Sequence, residues 1–197
     1  MTNSHQLRNR IADIDGGELT GLPSTHHPYA VVFPAPQARV IVYTTKFEAT
    51  RQLLAFANAA TPLGIIGRYG LPRDKDIEGF VAIAHDLPIY FLGDCDPFDL
   101  LVFTWLRQHL AIQFLGVSDA VVAALGVAVT ERITIALPDQ EKRAIPLLRE
   151  VSSDLEGFVG PNCARMLQDN RKLELEALVS CHTTPVTNLL SLLIDAA

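Results

Sequence analysis

Leu87-Pro88-Ile89-Tyr90-Phe91-Leu92-Gly93-Asp94-Cys95-Asp96-Pro97-Phe98-Asp99 carries an apolar run into carboxylates and then into a helical pattern opened by a proline. Ile89 to Leu92 has the composition of a strand buried on both faces. Pro97 stands where a helix begins, because its fixed φ suits the first turn and its missing N–H has no partner to lose there. A buried strand that feeds a helix through a short polar turn is one repeat of an α/β domain. Side chains two apart on an extended chain point the same way, so Asp94 and Asp96 face one point. Two hard oxygen ligands at the end of a buried strand are what an Mg²⁺ site uses.

The same rhythm extends to both sides. Arg39 to Tyr43 is β-branched and apolar, a strand, and Glu48 to Ala59 follows as a helix with Leu53, Leu54, Phe56 and Ala57 on its inner stripe. Leu63 to Ile66 is a second strand, leading into the loop Gly67-Arg68-Tyr69-Gly70-Leu71-Pro72. Asp74 to His85 is a helix with Ile77, Phe80, Val81 and Ala84 inward, Phe98 to His109 another, and Ala111 to Leu115 a fourth strand. Strand–helix alternation with buried strands predicts an α/β fold, a three-layer Rossmann-like domain with a mostly parallel sheet. Such sheets place their sites beyond the carboxyl ends of the strands, where Asp94, Asp96 and Thr44-Thr45 fall.

The flanks are less regular. Residues 1–37 read as an N-terminal arm, with a short helix over Gln6 to Ile14 and breaks at Gly16-Gly17, Pro23 and Pro28; residues 38–197 form the domain. After the fourth strand, Ser118 to Leu125 reads as a helix and Val127 to Leu137 as a strand or extended crossing. Pro138 to Val151 is a helix in which Pro146 is a kink or break. Gly157 to Pro161 is a turn, Cys163 to Ala177 a helix, and Thr184-Pro185 opens a last apolar helix through Ile194.

Bulk properties narrow the class. The 197 residues are 49% hydrophobic and 19% charged, so a sizeable core is expected and wholesale disorder is not. A net charge of −6 argues against a free-standing, non-specific nucleic-acid binder, though not against DNA delivered by a partner subunit. Three cysteines without a C-x-x-C fit free thiols in a reducing compartment, and no apolar run reaches membrane-span length. A cytoplasmic protein without membrane contact is expected.

The ordered motifs resemble the Toprim domain of the topoisomerase VI A subunit and its meiotic double-strand-break relatives. In that family a strand ends in Glu-Lys; here the place is held by Thr45-Lys46. The family's glycine- and proline-bearing loop is similar to Gly67 to Pro72, and its Asp-x-Asp-Pro-x-Gly to Asp94-Cys95-Asp96-Pro97-Phe98-Asp99. Its Lys-x-Glu-Leu-Glu-Ala-Leu helix is similar to Lys172-Leu173-Glu174-Leu175-Glu176-Ala177-Leu178. The likeness spans roughly residues 38 to 195. It implies a Mg²⁺ site at Asp94 and Asp96, with Lys46 on phosphate and an acid–base carboxylate at position 45. That carboxylate is a threonine here, and the family's glycine after the Asp pair is Asp99. A threonine hydroxyl does neither acid–base work nor metal binding well at neutral pH, so Thr45, Glu48 and Asp99 are the catalytic candidates. The winged-helix domain carrying the family's nucleophilic tyrosine has no counterpart, and none of the four tyrosines has a suitable context.

Plain readings accompany each of these. Asp96 before Pro97 is a good N-cap, and with Asp99 at the third helical position it approaches a capping box. Arg68 and Arg73 flank the glycine loop as phosphate contacts or as solvated turn arginines. Glu174 and Glu176 read as helix-surface residues, the first paired with Lys172 or Arg171. Cys181-His182 diverge on a helix, and His26-His27 lie in the arm. Trp105 is most simply core. The leading expectation is a Toprim-like protein of DNA metabolism with a partly degenerate Mg²⁺ site, acting as a binding or regulatory subunit. The alternatives are a stand-alone metal-dependent nuclease using Glu48 or Asp99, and a non-catalytic interaction protein, as a homodimer or with a protein partner.

Overall fold

Val40-Ile41-Val42-Tyr43-Thr44 is buried along its whole length, as is Ile89-Tyr90-Phe91-Leu92, and these two strands are the centre of the sheet. The computed structural model describes residues 3–15, 29–32, 38–46, 63–68, 71–84 and 86–181. The elements in order are α1 (Ser4–Asp15), β1 (Tyr29–Val32), β2 (Val40–Thr44), β3 (Leu63–Arg68), α2 (Asp74–Ala84), β4 (Ile89–Leu92), α3 (Pro97–Leu106) and β5 (Ile112–Phe114). There follow α4 (Asp119–Ala124), β6 (Ile135–Ala136), α5 (Asp139–Val151), α6 (Leu155–Val159), α7 (Pro161–Gln168), β7 (Arg171–Lys172) and α8 (Leu175–Cys181). The expected helix over 48–59, the last helix over 184–194, and Glu48, Tyr69, His26, His27 and His182 lie outside the described residues.

The main sheet has the order β1-β3-β2-β4-β5. β3, β2, β4 and β5 are mutually parallel, and β1 adds an antiparallel edge against β3. The chain is α/β with a Rossmann-like three-layer architecture, as its alternation predicts. The path leaves β2 for β3 on one side, then returns past β2 to place β4 on the other. β2 and β4 therefore lie side by side, Val42 opposite Tyr90, while their connections depart in opposite directions. That is the topological switch point, where an open parallel sheet has its crevice.

Aromatic packing fixes the helices on the sheet. Tyr43 stacks on Phe91 with centroids 5.7 Å apart and meets Phe80 of α2 edge-on at 5.5 Å. Phe91 continues to Phe103 of α3 and to Phe114 of β5, and both of these reach Phe158 of α6. Trp105 is fully buried, as expected.

Several expectations meet a different outcome. Within residues 1–37, α1 buries Leu7 and Ile11 completely and packs on α3 and α5, and β1 joins the sheet. Trp105 Nε1–H donates to the Ser4 carbonyl at 3.1 Å and Arg8 Nε–H to that of Pro72 at 3.0 Å. Both segments are therefore built into the domain, because two apolar residues one helical turn apart suffice to hold a short helix on the core. α5 runs unbroken through Pro146, held by the buried row Ala144, Ile145, Leu147 and Leu148. The turn over 157–161 contracts to Gly160, at φ 86°, between α6 and α7. The helix expected over 163–177 is interrupted: α7 ends at Gln168, Asn170 takes a left-handed φ of 56°, and the chain becomes extended until Leu175. In that stretch β7 pairs with β6, and Leu173 bridges Cys95 with N–H···O bonds of 3.0 and 3.3 Å. No described helix is long and apolar enough to cross a membrane.

Candidate metal centre

The carboxyl ends of β2 and β4 deliver Thr45-Lys46 and Gly93-Asp94 to the same crevice. Gly93 permits the sharp exit from β4: a Cβ there would lie 2.6 Å from Phe91 and 2.7 Å from the Asp99 carboxylate. Asp96 caps α3, as its position before Pro97 predicts, and its Oδ1 accepts the Asp99 N–H at 2.8 Å. The other half of a capping box is absent. The Asp99 carboxylate turns back to the Asp94 N–H, accepting it through Oδ2 at 2.7 Å, and the same oxygen accepts the Thr45 hydroxyl at 2.9 Å.

Asp94 is fully buried. Its Oδ1 accepts the Leu175 N–H at 2.8 Å, and its Oδ2 forms an ion pair with Lys46 Nζ. The Lys46 backbone N–H donates to Thr44 Oγ1 at 3.0 Å, which fixes where the lysine stem leaves the sheet. One carboxylate oxygen from each of Asp94, Asp96 and Asp99 can be chosen so that all three lie within 4.8 Å of one another. Asp96 Oδ2 and Asp99 Oδ1 take no hydrogen bond among the described residues.

Beside this cluster Lys172 bridges Glu141 at 2.9 Å and Glu174 at 3.3 Å. Burial and then the charge of Asp96 push the Glu141 carboxyl up. Burial works against the Lys172 ammonium, but the bond to Glu141 and the charge of Asp96 outweigh it and hold Lys172 above its ordinary value. Glu141 Oε2 is buried without a hydrogen bond.

Among the described residues, negative charge exceeds positive here. Asp94, Asp96 and Asp99 are all nearly inaccessible, Lys46 pairs directly with Asp94, and Lys172 acts on Asp96 from its bridge to Glu141 and Glu174. Burial, then repulsion from Asp99 and Asp96, pushes the Asp94 carboxyl up to about 8 against the opposing pull of Lys46. Burial and the charge of Asp96 push Asp99 up to about 7, against Lys46 and the hydrogen bonds from Asp94 and Thr45. For Lys46, burial works against the ammonium, but Asp99, Asp94 and Asp96 together outweigh it and hold the group charged. Such a cluster favours uptake of a proton near neutrality, and its geometry is one that could hold a further cation.

No protein-family model and no curated protein matches the chain. The physical fit therefore rests on the site's own atoms. Its donors are all carboxylate oxygens, the set preferred by hard divalent cations. Among the described residues, two of those oxygens take no hydrogen bond and negative charge is in excess. The residues fit a divalent ion.

The other candidates are placed elsewhere or not at all. Arg73 precedes α2 and donates to the Asp76 carboxylate, through its guanidinium at 2.9 and 3.1 Å and through its backbone N–H at 2.9 Å, so Asp76 is the capping acceptor there. Arg68 ends β3, and its side chain, like Glu48, lies outside the described residues. Glu174 pairs with Lys172 as expected, but from an extended segment and not a helix surface. Glu141 and the double bridge of Lys172 were not anticipated. Glu141 is in α5, more than forty residues from Asp99, and no local spacing connects them. A signal for the 172–175 segment does exist: Leu173 and Leu175 alternate with charged residues, a strand pattern, after an Asn suited to a left-handed stop.

Proposed function

We propose that this chain is a Toprim-like protein of DNA metabolism that binds Mg²⁺ at Asp94, Asp96 and Asp99 and holds a phosphodiester phosphate beside Lys46. The observation that carries this reading is the hydrogen bond between Thr45 and Asp99. The chain departs from the family pattern at two positions, a lost carboxylate at 45 and a gained one at 99, and those two side chains touch. The charge missing from the end of β2 is supplied from the first turn of α3. Bound Mg²⁺ would neutralise charge on a phosphate oxygen. The protein's own part is to hold three carboxylates in place through the Leu175, Asp94 and Asp99 N–H groups and to present the Lys46 ammonium at the rim.

A binding or regulatory subunit is the form this takes, with DNA brought by a protein partner, in keeping with the net charge of −6. The buried free thiols of Cys95 and Cys163 suit the reducing cytoplasm. One observation favours a second reading, a metal-dependent phosphodiester hydrolase without a tyrosine nucleophile. Asp99 is carried to about 7 by its surroundings, where a carboxyl exchanges a proton readily at physiological pH.

The test is fluorescence anisotropy of a labelled DNA oligonucleotide, with Mg²⁺ or with EDTA, followed by gel analysis of the same mixtures. Mg²⁺-dependent binding is expected in the wild type, lost in Asp99→Gly and recovered in the exchange variant Thr45→Glu/Asp99→Gly. Binding that ignores both Mg²⁺ and the substitutions would refute the reading, and cleavage of the oligonucleotide would select the hydrolase.

A further inference from the structure

Asp94 has one oxygen without a backbone hydrogen bond, Oδ2, and a lysine already occupies it. Oδ1 is committed to the Leu175 N–H, inside a carboxylate that solvent does not reach. Oδ2 holds the Lys46 ammonium. The remaining oxygens in reach, Asp96 Oδ2 and Asp99 Oδ1, are uncommitted but belong to only two residues. An ion that ligates all three aspartates through the oxygens without backbone hydrogen bonds meets the ammonium at Asp94 Oδ2, and two cations in contact at one buried oxygen repel strongly.

We propose that Lys46 is the resident cation of the acidic centre and is exchanged for the divalent ion, so that metal and phosphate bind as a coupled pair. The proposal rests on the metal reading above and specifies how the site is loaded. Lys46 is suited to the exchange. Its backbone is pinned to Thr44, its side chain is 26% exposed, and its four-carbon stem lets the ammonium swing outward while the anchor stays fixed. The exchange replaces a single positive charge by a double one among three carboxylates. It also releases an ammonium at the rim, where a phosphate held by the ion would meet it. By reciprocity, an anion that captures the ammonium favours metal entry to the same degree that the metal favours the anion. Without metal, the lysine keeps the acidic centre partly neutralised.

Two measurements on the full chain decide it. The first is calorimetric titration of Mg²⁺ alone into the wild type and Lys46→Met. Removing the competing ammonium leaves uncompensated buried carboxylates, so Lys46→Met is expected to bind Mg²⁺ about tenfold more tightly. A lysine acting as structural support for the site would give weaker binding on removal. The second needs no substitution: an amine-reactive reagent is applied to the wild type with and without Mg²⁺, and modification at Lys46 is followed by mass spectrometry. Labelling is expected to rise severalfold with Mg²⁺ as the ammonium leaves Asp94. If the wild type binds Mg²⁺ but labelling of Lys46 does not increase, the lysine stays on Asp94 and the exchange is overturned while the metal site stands. If neither protein binds Mg²⁺, the metal reading fails and the exchange fails with it.

Discussion

Asp99 and Asp119 are both aspartates in the first turn of a helix, and the structure treats them in opposite ways. Asp119 of α4 reaches across to the start of α7, accepting the Asn162 N–H at 2.9 Å, the Asn162 side-chain amide at 3.0 Å and the Cys163 N–H at 2.9 Å. Its slight burial pushes its carboxyl up, but these bonds outweigh that and hold it below the usual carboxylate range. Asp99 is far more enclosed, accepts two bonds on a single oxygen, and faces Asp96 and Asp94. Its carboxyl is pushed up to about 7. A carboxylate whose hydrogen bonds answer its charge is a structural part. One whose charge is left over is a candidate for taking a proton or a cation, and the contrast separates the two kinds without reference to any relative.

The largest effect is expected on the structural side. Gly160 holds φ 86° and ψ 161°, a region essentially reserved for glycine, and a Cβ there would lie 2.5 Å from Asp119 Cγ. Gly160→Ala should cost about 3 kcal/mol, read as a lowered denaturant midpoint, since it adds backbone strain to the loss of the Asp119 contacts. A midpoint unchanged from the wild type would show that the α4–α7 junction is not fixed as described.

Next come the paired amide substitutions. Asp119→Asn removes an acceptor oxygen and the charge that the α7 N–H groups favour, and should destabilise by about 1–2 kcal/mol. Asp99→Asn keeps an oxygen for the Asp94 and Thr45 donors and relieves repulsion. In metal-free protein above pH 7 it should be neutral or stabilising by thermal denaturation. Equal destabilisation by both would erase the distinction.

The smallest and most diagnostic effect is on pH. Asp94 and Asp99 have folded values above their unfolded ones, so between about pH 4 and 8 the native state binds more protons than the unfolded chain. Metal-free stability should therefore fall as pH rises through 7 to 8. Asp119 acts with the opposite sign: its contribution is present above its unfolded value and is lost as pH falls through its lowered folded one. On the proposed reading Mg²⁺ competes with the protons at the acidic centre, so the rise in Tm on adding it should be larger at pH 8 than at pH 5. Thermal scans at the two pH values measure this, and an Mg²⁺ effect independent of pH would argue that the ion binds elsewhere.

The fold and the acidic loop were legible in the sequence where neighbours along the chain determine the outcome; Asp119, whose partners lie more than forty residues away, was not. The strand over Ile89–Leu92, the Asp96 cap on Pro97 and the parallel sheet follow from local composition and period, and the structure has them. Asp94 and Asp96 are candidates for the same reason, and Asp99 enters through the resemblance. What was not legible depends on contacts between distant segments. Cys95 pairs with Leu173 across some eighty residues, and that pairing draws Lys172 and the Leu175 N–H to the acidic loop. The same stretch, Lys172 to Leu178, satisfies a helical pattern when read alone. Glu141 reaches the site only because α5 packs beside α3, and α1 enters the domain only because Leu7 and Ile11 find the same neighbours. Local pattern names the candidate carboxylates here, and tertiary pairing supplies the charges that surround them.

The central claim, that Asp99 completes a cation site whose charge was lost at position 45, is tested most directly by calorimetric titration of Mg²⁺ at pH 8 into the wild type and Asp99→Asn. Saturable binding is expected in the wild type, weakened at least about tenfold in the variant, whose fold is intact by circular dichroism. Equal affinity in the two proteins, or no binding to either, would contradict it.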